Sequence, residues 1–281
     1  MPVRPYPGDV TYTLQHILDV AESLWPASGA SSWDASGLIA GDPREAVSAV
    51  HLAVDPVVET AAETLAVGAQ LLITHHPLLL RGVTSVAADR YKGAVIHTLI
   101  RGGAGLLAAH TNADVVEAGT SQILADRLGL TRTAPILPGE TPERGIGRVG
   151  TLPEPKTLGQ IARELAEILP ATATGIRASG EYDREIRTVA LCAGAGDSLL
   201  GEPAVRGADL YITSDLRHHP ASEAREQALL GSGPALIDTS HWASEWLWLD
   251  AAAAQLRAAL PELTVTVSDL RTDPWDFVVT Q

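Results

Sequence analysis

The chain has 281 residues, 46% hydrophobic and 19% charged, a balance that supports a buried core and excludes a disordered polyelectrolyte. Its net charge of −14 works against nucleic-acid backbones and anionic membrane surfaces as partners, since both are bound through an excess of Lys and Arg. The single cysteine, Cys192, rules out an intrachain disulfide, no stretch approaches the roughly 20 apolar residues of a membrane span, and residues 1–8 carry no apolar leader core, so a soluble cytoplasmic protein is expected.

Tyr12, Leu14, Ile17, Leu18 and Leu24 fall mostly on one face of a helix over 12–24. The apolar run 49–54 reads as a buried strand. Asp55-Pro56 then looks like a helix start with Asp55 as N-cap, and Gly68 is placed to end that helix. Leu71-Leu72-Ile73-Thr74 is a second buried strand. A helix near 90–101, a strand over 105–109 and a helix near 115–128 follow. Pro135, Pro138, Gly139 and Pro142 mark 131–145 as a connection. Thr157-Leu-Gly-Gln160 is a capping box that opens a helix to about 169. Strands are expected near 172–178, 186–193, 209–213 and 235–239, then a long Ala-rich helix over 243–260 and a last strand over 263–267. This alternation predicts an α/β sheet protein.

The pattern contains a repeat. Gly68-Ala-Gln-Leu-Leu-Ile-Thr74 matches Gly207-Ala-Asp-Leu-Tyr-Ile-Thr213, and the same spacing places Val50 and Leu52 on Val189 and Leu191. A strand–helix–strand unit therefore occurs twice, which predicts two similar halves. The expected fold is α/β, with two similar interleaved halves, mixed sheets and a metal site in the cleft between them. The first α/β domain is expected over 1–130 and 235–281, and the second over 131–234.

Chemistry gathers where strands end, because a sheet fixes the backbone while the loop exposes the side chain. Thr74-His75-His76-Pro77 follows one buried strand, and neighbouring histidines there can serve two metals, one each. His110-Thr-Asn-Ala-Asp114 and His241-Trp-Ala-Ser-Glu245 follow two others, both reading His-x3-acid at what look like equivalent strand ends. If a helix opens at His241, His241 and Glu245 share a face and can grip one cation. Imidazole and carboxylate without thiolate suit Zn, Fe, Mn, Co or Ni. Cys192 reads as a core residue. Tyr211-Ile-Thr-Ser-Asp215-Leu-Arg-His218-His219 occupies the place of the His-His loop in the second repeat, so Asp215 and His219, with His110, are the candidate proton-transfer groups. Trp33-Asp34 reads as an ordinary loop in which Trp33 packs, and the glycines at 102–105 and 194–196 read as turns. Arg148 and Arg217 are the only basic residues near these motifs nominated as clamps for an anionic substrate.

Ile-Thr-His-His-Pro-Leu (73–78), His-Thr-Asn-x-Asp (110–114), Gly-Ile-Gly-Arg-Val-Gly (145–150), Tyr-Ile-Thr-Ser-Asp (211–215) with His219, and Ser-His-Trp-Ala-Ser-Glu (240–245), in this order, resemble the NIF-three-like family, whose members are often labelled GTP cyclohydrolase I type-two homologues. The resemblance covers nearly the whole chain. It implies a dinuclear centre of two divalent metal ions per subunit, held by His75, His76, Asp114, His241 and Glu245, and a toroidal homohexamer. The family's Trp-Asp-Asn-x-Gly-Leu stands here as Trp33-Asp34-Ala35-Ser36-Gly37-Leu38, and its Thr-Gly-Asp as Thr213-Ser214-Asp215. Two functions compete: a metal-dependent hydrolase acting on a small molecule or nucleotide, and a non-catalytic metal-binding or regulatory scaffold.

Overall fold

The computed structural model describes residues 12–280, so residues 1–8, read above for a leader, lie outside it. In chain order the elements are β1 (Tyr12–Thr13), α1 (Leu14–Leu24), β2 (Gly37–Ala40), β3 (Ala46–Val47), β4 (Ala49–Ala53), α2 (Val58–Ala66), β5 (Leu71–Thr74), α3 (Tyr91–Arg101), β6 (Gly105–Ala108), α4 (Thr111–Asp114) and α5 (Thr120–Arg127). Then come β7 (Thr131–Ala134), β8 (Leu137–Pro138), β9 (Gly145–Ile146), β10 (Arg148–Thr157), α6 (Leu158–Ile168), β11 (Arg177–Ser179) and β12 (Glu185–Ala195). The last are α7 (Pro203–Arg206), β13 (Leu210–Ser214), α8 (His218–Leu229), β14 (Ala235–Thr239), α9 (His241–Ala259) and β15 (Thr264–Val267). Among the described residues no helix is long and apolar enough to cross a membrane. The described chain forms two compact units, one of residues 12–113 and 249–272, the other of 114–248 and 273–280.

The first unit is built on a five-stranded sheet ordered β15-β4-β5-β6-β2, parallel except for β2, which runs antiparallel to β6. Every residue of β5 and β6 is buried, as expected of parallel strands covered on both faces. Ala61 of α2, and Val95 and Leu99 of α3, pack with Leu72, Leu78 and Leu106. The second unit holds a six-stranded sheet ordered β11-β14-β13-β12-β10-β7, with β12, β13 and β14 parallel and the flanking strands antiparallel. Its core includes Ile136, Ala190, Cys192, Val205, Tyr211 and Leu236, so Cys192 is a core residue as read from the sequence. Both sheets are mixed, in keeping with the expected α/β class.

The repeat survives to the level of single hydrogen bonds. Val50 pairs with Leu71 and Leu52 with Ile73; 139 residues later Val189 pairs with Leu210 and Leu191 with Ile212. The Gln70 side-chain oxygen accepts from the backbone N–H groups of Ser48 and Ala49, and its counterpart Asp209 accepts from those of Arg187 and Thr188. The second copy departs where β12 ends: after Leu191–Ile212 the register shifts, so that Ala195 rather than Ala193 pairs with Ser214, the last residue of β13. Such a bulge re-aims the chain beside it.

Several local expectations need correction. Asp55 does not cap α2; Val57 is the N-cap residue, its N–H bonded to Thr60 Oγ1, and Asp55 turns to His76 instead. Residues 131–145 are not merely a connection, because β7 joins the second sheet as an edge strand beside β10. The strand expected at 172–178 is shorter and later, at β11. The helix expected near 115–128 starts later, as α5, and a separate one-turn α4 precedes it. The Thr157–Gln160 capping box forms as expected, and Gly68, at φ +74°, follows the end of α2.

Candidate metal centre

In the first unit β5 delivers His75 and His76. Their N–H groups bond to the carbonyls of Ala53 and Val54, extending the strand pairing by two residues. Successive side chains of an extended chain point to opposite sides. His75 is fully buried, while His76 is partly exposed. His75 Nδ1 lies 2.9 Å from the Ala109 carbonyl oxygen. A carbonyl only accepts, so Nδ1 carries the proton and Nε2 carries the lone pair. His76 Nδ1 is 2.7 Å from Asp55 Oδ1, and the other Asp55 oxygen accepts from Thr272 Oγ1. His110 stands immediately before α4, with Nδ1 2.7 Å from Asp34 Oδ1. The three ring centroids are 5.2, 5.3 and 5.6 Å apart, and the three residues offer ligand atoms that all lie within 4.8 Å of one another.

Asp34, like Asp55, has a role that sequence reasoning missed. Besides His110, its carboxylate accepts from Thr111 N and Oγ1, Ser36 Oγ and Ala35 N. Burial by itself would raise the carboxyl pKa, but the hydrogen bonds from Thr111, His110 and Ser36 outweigh it and hold the group well below the usual carboxylate range. Trp33 does not pack as expected: it is 61% exposed, edge-on to His110 at 5.8 Å. Its neighbour, not Trp33 itself, anchors the loop.

In the second unit His241 is the first residue of α9, as the i, i+4 reading required. His241 Nε2 lies 2.9 Å from Glu245 Oε1, and Nδ1 lies 2.7 Å from Asp215 Oδ2. Asp215 adopts φ +57°, a left-handed conformation that Asp tolerates better than most residues and that follows directly on β13. Burial opposes protonation of His241, but the carboxylates of Glu245 and Asp215 outweigh it and raise its pKa well above the ordinary imidazole value. Those carboxylates favour positive charge at this point. Gly194, at φ +72° beside the bulge of β12, leaves the space: a Cβ there would sit 2.3 Å from Glu245 Oε1 and 3.2 Å from His241 Nε2. The 194–196 segment is therefore more than a turn. Asp114 Oδ1 accepts from Thr120 Oγ1 at 2.5 Å. Burial, with the nearby carboxylates of Asp114 and Glu245, pushes the Cys192 thiol up to about 12, which keeps it protonated at neutral pH.

The remaining candidates are placed as follows. Asp215 is the carboxylate that orients His241, and His110 joins His75 and His76. His219 is exposed in the first turn of α8, with its ring against His218. The two His-x3-acid motifs are not equivalent after all. In the sheet registers Ala108 pairs with Thr74 and Asp238 with Thr213, which makes Thr111, not His110, the counterpart of His241. Arg148 is no anion clamp: it is 1% exposed, and its guanidinium bonds to the Gly145, Gly147 and Val116 carbonyls and to Gln122. Arg217 pairs with Asp197.

The donor set fits divalent metals. Imidazole nitrogens held by carboxylate or carbonyl partners through Nδ1 present Nε2 in one fixed tautomer, the arrangement by which proteins orient metal-binding histidines. The glycine that makes room beside the buried Glu245 carboxylate fits a built site rather than a chance contact.

Residues 12–274 match the family model described as Duf34/NIF3 (NGG1p interacting factor 3). A protein of Streptomyces coelicolor called "GTP cyclohydrolase 1 type 2 homolog" is 48% identical over 269 residues, 93% of each chain. Among solved structures, Staphylococcus aureus protein SA1388 is similar at TM-score 0.84 and 26% identity, covering 95% of this chain and 99% of that one. A Bacillus cereus protein related to NIF3 matches at TM-score 0.85 and 22% identity, with the same coverage, and so speaks for the fold.

Proposed function

The chain belongs to the Duf34/NIF3 family, and on that premise we propose that it binds two divalent metal ions through His75, His76, Asp114, His241 and Glu245 and acts as a metal-dependent hydrolase. The observation that carries the metal reading is the trio of imidazoles in the first unit. Each has its Nδ1 committed to Ala109, Asp55 or Asp34, and its Nε2 is thereby fixed as the lone-pair nitrogen. The proposal widens the ligand candidates to include His110, which the residues alone suggested for proton transfer. In the second unit Asp215 holds His241 while Glu245 supplies carboxylate oxygen.

Bound divalent metals would supply Lewis acidity to a substrate and lower the pKa of an attacking water. The protein's own contribution is orientation. Asp34 and Asp55 hold His110 and His76 in place, and Asp215 does the same for His241. The name of the Streptomyces coelicolor relative brings a nucleotide ring into the proposal as substrate class. One observation favours the alternative of a metal-binding scaffold without turnover: Arg148, nominated for an anionic substrate, is spent on main-chain carbonyls. The reading also includes a toroidal homohexamer, for which light scattering should give about six times 29.5 kDa; a stable monomer at micromolar concentration would overturn that part.

The test is metal analysis by mass spectrometry of protein purified without added metal, followed by a nucleotide, ester and amide screen. About two ions per chain are expected in the native protein, and one or fewer in Glu245→Gln, because two cations close together need a shared anionic ligand. Asp114→Asn should remove mainly one. Two ions retained in Glu245→Gln would remove the bridging role, and turnover unaffected by His76→Ala would remove the hydrolase.

A further inference from the structure

The second unit carries an open groove of about 400 Å³ along α6, floored by small residues such as Ala166 and bounded by Leu169, Ile176, Tyr182 and Ser240. Arg163 is the only charged residue lining it, and its guanidinium lies 5.7 Å from the centre of the Tyr182 ring. An exposed Arg–Tyr pair beside an apolar floor is the composition of an interface anchor. The same unit ends in a tail of opposite character. Asp273 is buried and accepts from Ser240 Oγ on the groove's rim. Beyond it Trp275, Phe277, Val278 and Val279 are 61%, 79%, 61% and 75% exposed, and the only charged residue in 274–280 is Asp276. Four large apolar side chains exposed within five residues are the kind of patch that marks an interaction site.

Groove and tail complement one another. One is apolar with a single cation, the other apolar with a single anion, in a chain where acids outnumber bases 34 to 20. The tail leaves from the groove's own rim yet lines none of it. Seven extended residues reach roughly 23 Å, enough to cross to a second molecule docked at the same rim. We propose that the tail from Pro274 onward seats in the α6 groove of a second copy of this chain, with Asp276 on Arg163 and Trp275 and Phe277 over the apolar floor, the two copies exchanging tails reciprocally. Such an exchange is isologous and closes on itself. It is independent of the metal reading, since none of these residues is a candidate ligand.

Charge reversal tests it with the full chain. Sedimentation at micromolar concentration should show wild type associated, and Arg163→Glu and Asp276→Arg each weakening association at least tenfold with melting temperature little changed. The two reversals in one chain should restore association. Mixing the two single variants should restore it as well, because each groove then meets a tail of opposite charge on the other chain. A tail that folds into its own groove predicts no rescue on mixing, and that result overturns the exchange. So does wild-type protein that is monomeric, or single variants that associate as wild type does. Ala166→Trp, at an exposed groove position, supplies a variant that blocks the groove without touching the charges and should also dissociate the assembly.

Discussion

Gly194 is the residue whose replacement says most about the candidate site. Its φ of +72° lies in the left-handed region, where a side chain costs about 1 kcal/mol. Gly129, at φ +71°, would bear the same strain, but a Cβ there meets nothing within 4 Å. Gly129→Ala is therefore the control for Gly194→Ala. Both should lose about 1 kcal/mol of stability through the backbone. Only Gly194→Ala should also lose metal, since its Cβ would displace Glu245 Oε1. Equal metal content in the two variants, measured by mass spectrometry, would mean that the space beside Glu245 has no role in binding. The histidines and acids at strand ends were legible in the sequence because a buried strand announces itself and its end fixes where side chains emerge. Asp34, Asp55 and Gly194 were not. Asp34 finds His110 across 76 residues and Asp55 finds His76 across 21, and no local pattern encodes such a meeting. Gly194 read as part of a turn, but it lies inside β12, and nothing in its neighbours marks the positive φ or the close approach of Glu245.

Among the elements, the duplicated strand–helix–strand unit was the most legible, because identical side chains at a fixed spacing impose identical pairing. Its latch is tuned differently in the two copies. Gln70 is neutral; Asp209 is charged, and although burial acts to raise its pKa, hydrogen bonds from Thr188 and Arg187 outweigh that and lower it. A carboxyl with a depressed folded-state pKa contributes stability that is fully present above its unfolded value of about 3.9 and is lost as pH falls through the folded value. Replacing either residue by Ala should cost about 1–2 kcal/mol at pH 7 through the orphaned N–H groups. On acidification below about pH 4 the deficit of Asp209→Ala relative to wild type should shrink, while that of Gln70→Ala stays constant. Denaturant titrations at pH 7 and at pH 3 decide it, and parallel behaviour of the two variants would refute the charged latch. Elements that were missed were those whose partners supply the strand character. β10 carries Gly150, Pro153 and Pro155, which argue locally for a loop, yet it pairs with β12 on both sides of a register shift between Thr151 and Lys156 that accommodates the prolines. β7, four mostly exposed residues, exists only because β10 lies beside it.

For the molecule as a whole, a net charge of −14 sets the balance that metal would change. Asp34, Asp55, Asp215 and Glu245 all bond to candidate ligand histidines, so anionic charge is concentrated where positive charge is proposed to bind. Ions that bind the folded chain and not the unfolded one stabilise it by RT ln(1 + [L]/Kd), about 2.7 kcal/mol at one hundred times Kd. At roughly 2–4 °C per kcal/mol for a chain of this size, the melting temperature should rise by about 5–10 °C when the binding metal among Zn, Fe, Mn, Co and Ni is added, and fall again with chelator. General screening of the acidic surface would also raise it, but sodium chloride should do so equally in wild type and in Glu245→Gln. The metal increment should instead be cut substantially in Glu245→Gln, where a buried anionic ligand is gone and the His241 ring loses the carboxylate beside its Nε2. A thermal scan that shows no metal-specific increment with any of these ions, or the same increment in both proteins, would leave the histidine and carboxylate clusters as structural hydrogen-bond networks.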